Sequence, residues 1–137
     1  MSRTPITTLE QARTFFAQDR YATDNGMTIE DAAPGFSRIR LELTERHRNA
    51  VGGVMGGVQL TMADFACAVA SNYGPDARPH VSLDAHISFQ SACRGGVLFA
   101  EAKAIKTGRS VSFYEVAITD DTGRLVAKAE FTMFCTA

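Results

Sequence analysis

Asp64 is the only formal charge between Arg48 and Asp76. The run reads N-A-V-G-G-V-M-G-G-V-Q-L-T-M-A-D-F-A-C-A-V-A-S-N-Y-G-P. A lone carboxylate on an apolar helix is costly to bury, because desolvation disfavours the charged form. Gly52, Gly53, Gly56 and Gly57 precede it. Glycines at a helix start leave backbone N–H groups open to an anion. A carboxylate on the buried side of a helix, next to such a turn, is the raw material of hydrolysis. The carboxylate activates water, and the amides hold the developing oxyanion.

These groups need elements to position them. The apolar spacing predicts a helix from Gly56 or Gly57 to Tyr73, ending before Gly74-Pro75. Val58, Met62, Phe65, Val69 and Tyr73 form one stripe of it. Leu60, Asp64, Cys67 and Ser71 form another. So little polar surface predicts a helix wrapped by other elements. Thr7 with Glu10 reads as a capping box for a short helix over about 7–18. Residues 27–33 read as a weak strand. Residues 36–44 alternate Ile39, Leu41 and Leu43 against Arg38, Arg40 and Glu42. After the helix, Val81, Leu83, Ala85, Ile87 and Phe89 alternate with Ser82, Asp84, His86, Ser88 and Gln90. Strands over 97–106, 110–119 and 124–134 follow, joined by short turns, which predicts an antiparallel meander. The phenylalanines Phe16, Phe36, Phe89, Phe99, Phe113, Phe131 and Phe134 read mostly as core. The whole predicts one α+β domain over residues 1–137, a curled antiparallel sheet around one helix.

A chain of 137 residues with a net charge of −1 lacks the basic surface that nucleic acid or an anionic membrane requires. Gln59, Asp64 and the glycines argue against a membrane span at 49–75. Cys67, Cys93 and Cys135 are odd in number and lack C-x-x-C spacing, which points to reduced thiols in the cytoplasm. The N-terminal M-S-R-T-P-I-T-T has no apolar core and is not read as a secretory signal. No Cys, His, Asp or Glu group has zinc spacing, so no metal site is expected. His80 reads as a loop residue near the helix end and His86 as a sheet-face residue.

His47-Arg48-Asn49, Gly53-Val54-Met55-Gly56-Gly57 and Leu60-Thr61-Met62-Ala63-Asp64 together resemble a family motif. It is the H-x-N-x-x-G-x-x-H-G-G-x-x-x-x-L-x-D pattern of hot-dog-fold acyl-CoA thioesterases of the phenylacetate-degradation (PaaI-like) type, in the 4-hydroxybenzoyl-CoA thioesterase superfamily. Val81-Ser82-Leu83-Asp84 with Ile87-Ser88-Phe89, and Lys106-Thr107-Gly108-Arg109, resemble its third strand and its K-x-G-R/K hairpin. The resemblance runs from about Ile29 onward. It implies a hot-dog fold, homodimers paired into tetramers, and active sites shared between subunits. It implies that the Gly56 N–H polarises the thioester carbonyl and that Asp64 of the partner subunit is base or nucleophile. Asn49 would hold the carbonyl or the water, and Ser82 would place the water. It implies substrate contacts at Met55 and Gly57, and at Lys106 and Arg109 toward coenzyme A phosphates. No cofactor is implied beyond the coenzyme A of the substrate. Met55 stands where the family has histidine, and methionine offers no imidazole donor.

Each residue also has a plainer reading. Asp64 pairs with an arginine or a backbone donor. Gly56-Gly57 serves close packing. Asn49 is a turn residue, Ser82 a strand residue, Lys106 and Arg109 a solvated turn. Cys67, one turn from Asp64, is an apolar filler. A non-catalytic acyl-CoA-binding hot-dog protein, motivated by Met55, is the first rival to a hydrolase. A hot-dog hydratase or dehydratase is the second, and it lacks the D-x-x-x-x-H pair that such enzymes carry.

Overall fold

A computed structural model describes residues 3–136. The elements in chain order are α1 (Leu9–Phe16), α2 (Arg20–Asp24), β1 (Thr28–Ala33), β2 (Phe36–Glu42), a 3-10 turn (Glu45–His47), α3 (Gly56–Asn72), β3 (His80–Phe89), β4 (Val97–Thr107), β5 (Val111–Asp120) and β6 (Leu125–Cys135). All six strands join one antiparallel sheet in the order β1-β2-β4-β5-β6-β3. The sheet curls around α3, the hot-dog architecture that the resemblance implied. The predicted meander is β4-β5-β6, and β3 closes on its far side as an edge strand.

The helix is held by its apolar faces. Met62, Ala63, Ala66, Cys67 and Val69 are fully enclosed, as are Ile39, Leu41, Leu98, Ala100, Val116 and Ile118 of the sheet. Small residues at 63, 66 and 70 let the helix approach closely, and the Ser37 hydroxyl donates to the Ala66 carbonyl across the gap at 2.6 Å. Burial pushes the Cys67 thiol far up, as suits an inert filler.

Four expectations are corrected. The α1 cap is Thr8 with Gln11, not Thr7 with Glu10. Both pairings fit the sequence. Gln11 prevails because its side-chain oxygen accepts from the backbone N–H of Thr7 at 2.8 Å and of Thr8 at 3.2 Å. The first helix is also shorter than 7–18, since α2 follows as a separate helix. The phenylalanines are not mostly core: Phe16 and Phe131 are buried, whereas Phe89, Phe113 and Phe134 are exposed.

The fourth correction reaches the site. Strict alternation places Ser82 with Asp84, His86 and Ser88, opposite Ala85, Ile87 and Phe89. Instead β3 has a bulge between Ser82 and Asp84, so that Ser82 lies across from Met133 and Asp84 across from Thr132. Cross-strand partners share a face. Met133 is buried, as are Phe131, Ala129 and Ala127, the partners of Ala85, Ile87 and Phe89. One extra residue therefore moves Ser82 onto the helix side of the sheet, a role bulges often play beside active sites.

Candidate active site

Asp64 sits midway along α3 on the side that meets edge strand β3. It is exposed in the single chain, which corrects the expectation of a buried-side carboxylate. The Ser82 hydroxyl donates to Asp64 Oδ1 at 2.5 Å, the length of a charge-assisted O–H···O⁻ bond. Ser82 Oγ also lies 3.6 Å from Met133 Sδ. Among the described residues no other hydrogen bond or ion pair reaches Asp64, so the arginine-paired reading is not what the chain adopts. The pair opens onto a cleft of about 360 Å³ lined by Leu60, Thr61, Leu83, Asp84, Ala85 and Phe131.

A second carboxylate lies within electrostatic reach. Desolvation first, and the charge of Asp64 second, hold the Asp19 carboxyl above its usual range. Nothing in the sequence pairs Asp19 with Asp64, because their electrostatic coupling depends on α2 settling against α3.

Gly56 opens α3, and no side chain caps the helix at Met55. The amides of the first turn have no helical acceptor. The turn leading there is stitched by backbone. Met55 N–H donates to the His47 carbonyl at 2.9 Å, and Asn49 N–H donates to the Gly53 carbonyl at 2.8 Å. Gly52 takes φ +89°, a conformation that glycine adopts freely. Asn49 Oδ1 accepts from Val51 N–H at 3.1 Å and Gly53 N–H at 3.0 Å. Asn49 is therefore the turn residue of its plainer reading, while its Nδ2 makes no hydrogen bond among the described residues. His47 is buried, with Nδ1 accepting Thr44 N–H at 2.9 Å and Nε2 donating to the Asn25 carbonyl at 2.7 Å. That histidine is a rivet of the turn.

A Cβ built on Gly56 would come 2.9 Å from Phe89 Cζ. Gly56→Ala is therefore expected to lower Tm by about 3 °C. In a Phe89→Ala background the same substitution is expected to be neutral or stabilising, since alanine suits a helix better than glycine by about 1 kcal/mol. Thermal denaturation of the four proteins measures this; additive shifts would contradict the packing.

The structure brings Ser82 to Asp64 and Asn49 to the Gly56 turn, but leaves the two pairs apart. Eight residues of helix separate Gly56 from Asp64, about 12 Å along the axis. The Gly57 side faces open space. Lys106 pairs with Phe113 in the β4–β5 hairpin, and at its turn the Arg109 carbonyl accepts from Arg78, in the loop after α3, at 2.5 Å. Among the described residues no three of His, Cys, Asp and Glu are placed to hold a metal, and no helix is long and apolar enough to cross a membrane.

A curled sheet around one helix, with a carboxylate on that helix and an uncapped glycine turn at its start, defines the class of hot-dog enzymes. The Thioesterase superfamily profile matches residues 51–127. Human acyl-coenzyme A thioesterase 13 is 31% identical over 108 residues, 77% of each chain. Zebra fish thioesterase superfamily member 2 superposes with a TM-score of 0.81 at 27% identity, covering 93% of this chain and 98% of that one. A mutant of the phenylacetic acid degradation protein PaaI from Thermus thermophilus gives 0.78 at 27% identity, covering 85% and 99%. The chain belongs to the thioesterase superfamily, as an enzyme of its PaaI-like type.

Proposed function

We propose that this protein hydrolyses acyl-CoA thioesters at a site completed by a second copy of the chain. The Ser82–Asp64 hydrogen bond carries the proposal. A hydroxyl that donates to a carboxylate keeps its lone pairs free to accept from a water, and so holds that water beside the base. The thioester carbonyl accepts from the Gly56 N–H and the Asn49 Nδ2 of one subunit. Asp64 of the other takes a proton from the water as its oxygen attacks the carbonyl carbon. The tetrahedral intermediate collapses, the C–S bond breaks, and the coenzyme A thiolate leaves and takes up a proton. Direct attack by Asp64 through an anhydride is the alternative use of the same carboxylate. No metal or redox cofactor is needed in either route.

The separation of about 12 Å within one chain is the reason for a second copy: attack requires the water and the carbonyl to be about 3 Å apart. Edge strand β3 supports the same reading. Among the described residues it pairs only with β6, and it exposes Val81 and Leu83. Proteins do not leave so long and apolar an edge bare without inviting pairing. A homo-oligomer, dimer or dimer of dimers, is therefore expected, at two or four times the 14.8 kDa monomer mass. Light scattering at micromolar concentration measures it, and a monomer would contradict the shared site. Lys106 and Arg109 are candidates for the coenzyme A phosphates, and the cytoplasm is the expected location.

Met55 favours one rival, an acyl-CoA-binding protein without turnover. The glycine turn is held by the Met55 backbone and by His47, so a histidine side chain is not required as scaffold. Thiol release from aromatic and aliphatic acyl-CoAs of varied length tests the proposal. Turnover supports it. Thermal stabilisation by acyl-CoA without thiol release would establish the binding protein instead.

A further inference from the structure

Phe89 is the last residue of β3 and one of the larger apolar side chains left in water. The residue is 55% exposed although it faces the helix side of the sheet. The edge of that ring rests on Gly56: the Cζ, Cε2 and Cε1 atoms lie 2.9, 3.3 and 3.4 Å from where a Gly56 Cβ would stand. One part of the ring is thus fixed against the residue whose amide is open, and the rest is uncovered. Met55 flanks the same amide as helix cap and is 50% exposed, and Val51, on the turn leading to it, is 92% exposed. Asp64 is the one formal charge between Arg48 and Asp76, and it lies two turns along the helix.

We infer that Phe89 is a specificity-determining residue: its ring forms the wall against which the acyl group packs, and it selects long apolar acyl groups over short ones. The inference rests on the thioesterase reading in placing a thioester carbonyl at the Gly56 N–H. A carbonyl held by that amide brings the groups bonded to its carbon within reach of the Phe89 ring. Burying a ring and several methylenes against each other removes apolar surface from water and is favourable.

The test is calorimetric binding of two non-hydrolysable ketone analogues of acyl-CoA, one with a two-carbon and one with an eight-carbon acyl part. Wild type, Phe89→Leu and Phe89→Ala are compared, with fold and mass checked by Tm and light scattering. Phe89→Ala is expected to weaken the eight-carbon analogue about tenfold more than the two-carbon one, with Phe89→Leu between them. Equal weakening of both analogues, no weakening, or no binding of either to wild type would overturn the inference. Thiol release from octanoyl-CoA is measured in parallel. Turnover without Phe89-dependent selectivity would sink the inference and leave the hydrolase standing. Phe89-dependent binding without turnover would sink the hydrolase and leave the wall in place.

Discussion

Asp64→Asn is expected to lower kcat for acyl-CoA hydrolysis by about 10²–10⁴-fold, the contribution of a positioned base. The substitution keeps shape and removes charge. Ser82 can still donate to the side-chain oxygen, so the water site survives while proton transfer does not. Asp64 is exposed and bonded only to Ser82 among the described residues, so the change orphans nothing in the core and KM is expected to move little. Thiol release at saturating substrate, with the oligomer checked by size-exclusion chromatography, measures it. Turnover comparable to wild type would remove Asp64 from the chemistry, whether as base or as nucleophile.

Asp120→Ala is expected to cost about 3 kcal/mol of stability, or about 10 °C in Tm. Asp120 is buried at the β5–β6 turn. It accepts from the Thr122 hydroxyl at 2.5 Å and from the backbone N–H groups of Arg94 at 2.8 Å, Thr122 at 3.0 Å and Arg124 at 3.1 Å. Burial alone would raise its pKa; these donors outweigh burial and hold the carboxyl well below the usual carboxylate range. A depressed folded-state pKa adds stability that is full above the unfolded value, about 3.9, and is lost as pH falls through the folded value. The stability gap between wild type and Asp120→Asn should therefore be wide at neutral pH and shrink below about pH 4. Urea titrations at both pH values measure it. A gap that grows with acid would reverse the sign of the argument.

The helix and its site were legible for one physical reason: burial writes itself into composition. An apolar run with one carboxylate and a glycine start has few folds open to it, and the Asn49, Gly56 and Asp64 spacing resembles one of them. Local turns were legible in the same way. Parity along β3 was not. A single bulge at Leu83 changes which face Ser82 presents, and alternation carries no mark of it: Val81 and Leu83 continue the apolar pattern of Ala85 and Ile87 yet lie exposed on an edge. The pairing of β3 with β6 is equally long-range. The choice of Thr8 over Thr7 was balanced by two capping boxes of similar quality. Phe89 read as core because composition does not distinguish a ring packed inside from one resting on a glycine at a cleft. The distance between Gly56 and Asp64 was implicit in the helix, because eight residues at a fixed rise cannot bring the two together.

That separation gives the central claim its most direct test: thiol release by mixed oligomers of Asp64→Asn and Gly56→Pro. Proline fits the first position of a helix and deletes the amide there, and the extended Met55 (φ −62°, ψ 135°) suits a residue before proline. Each variant alone has one defect in every site. Co-expressed at equal levels, half of the dimers are mixed, and each mixed dimer gathers both defects into one site and leaves the other intact. The account predicts about a quarter of wild-type activity in the mixture. A mixture as slow as its parents would place Asp64 and Gly56 in the same subunit's site and contradict it.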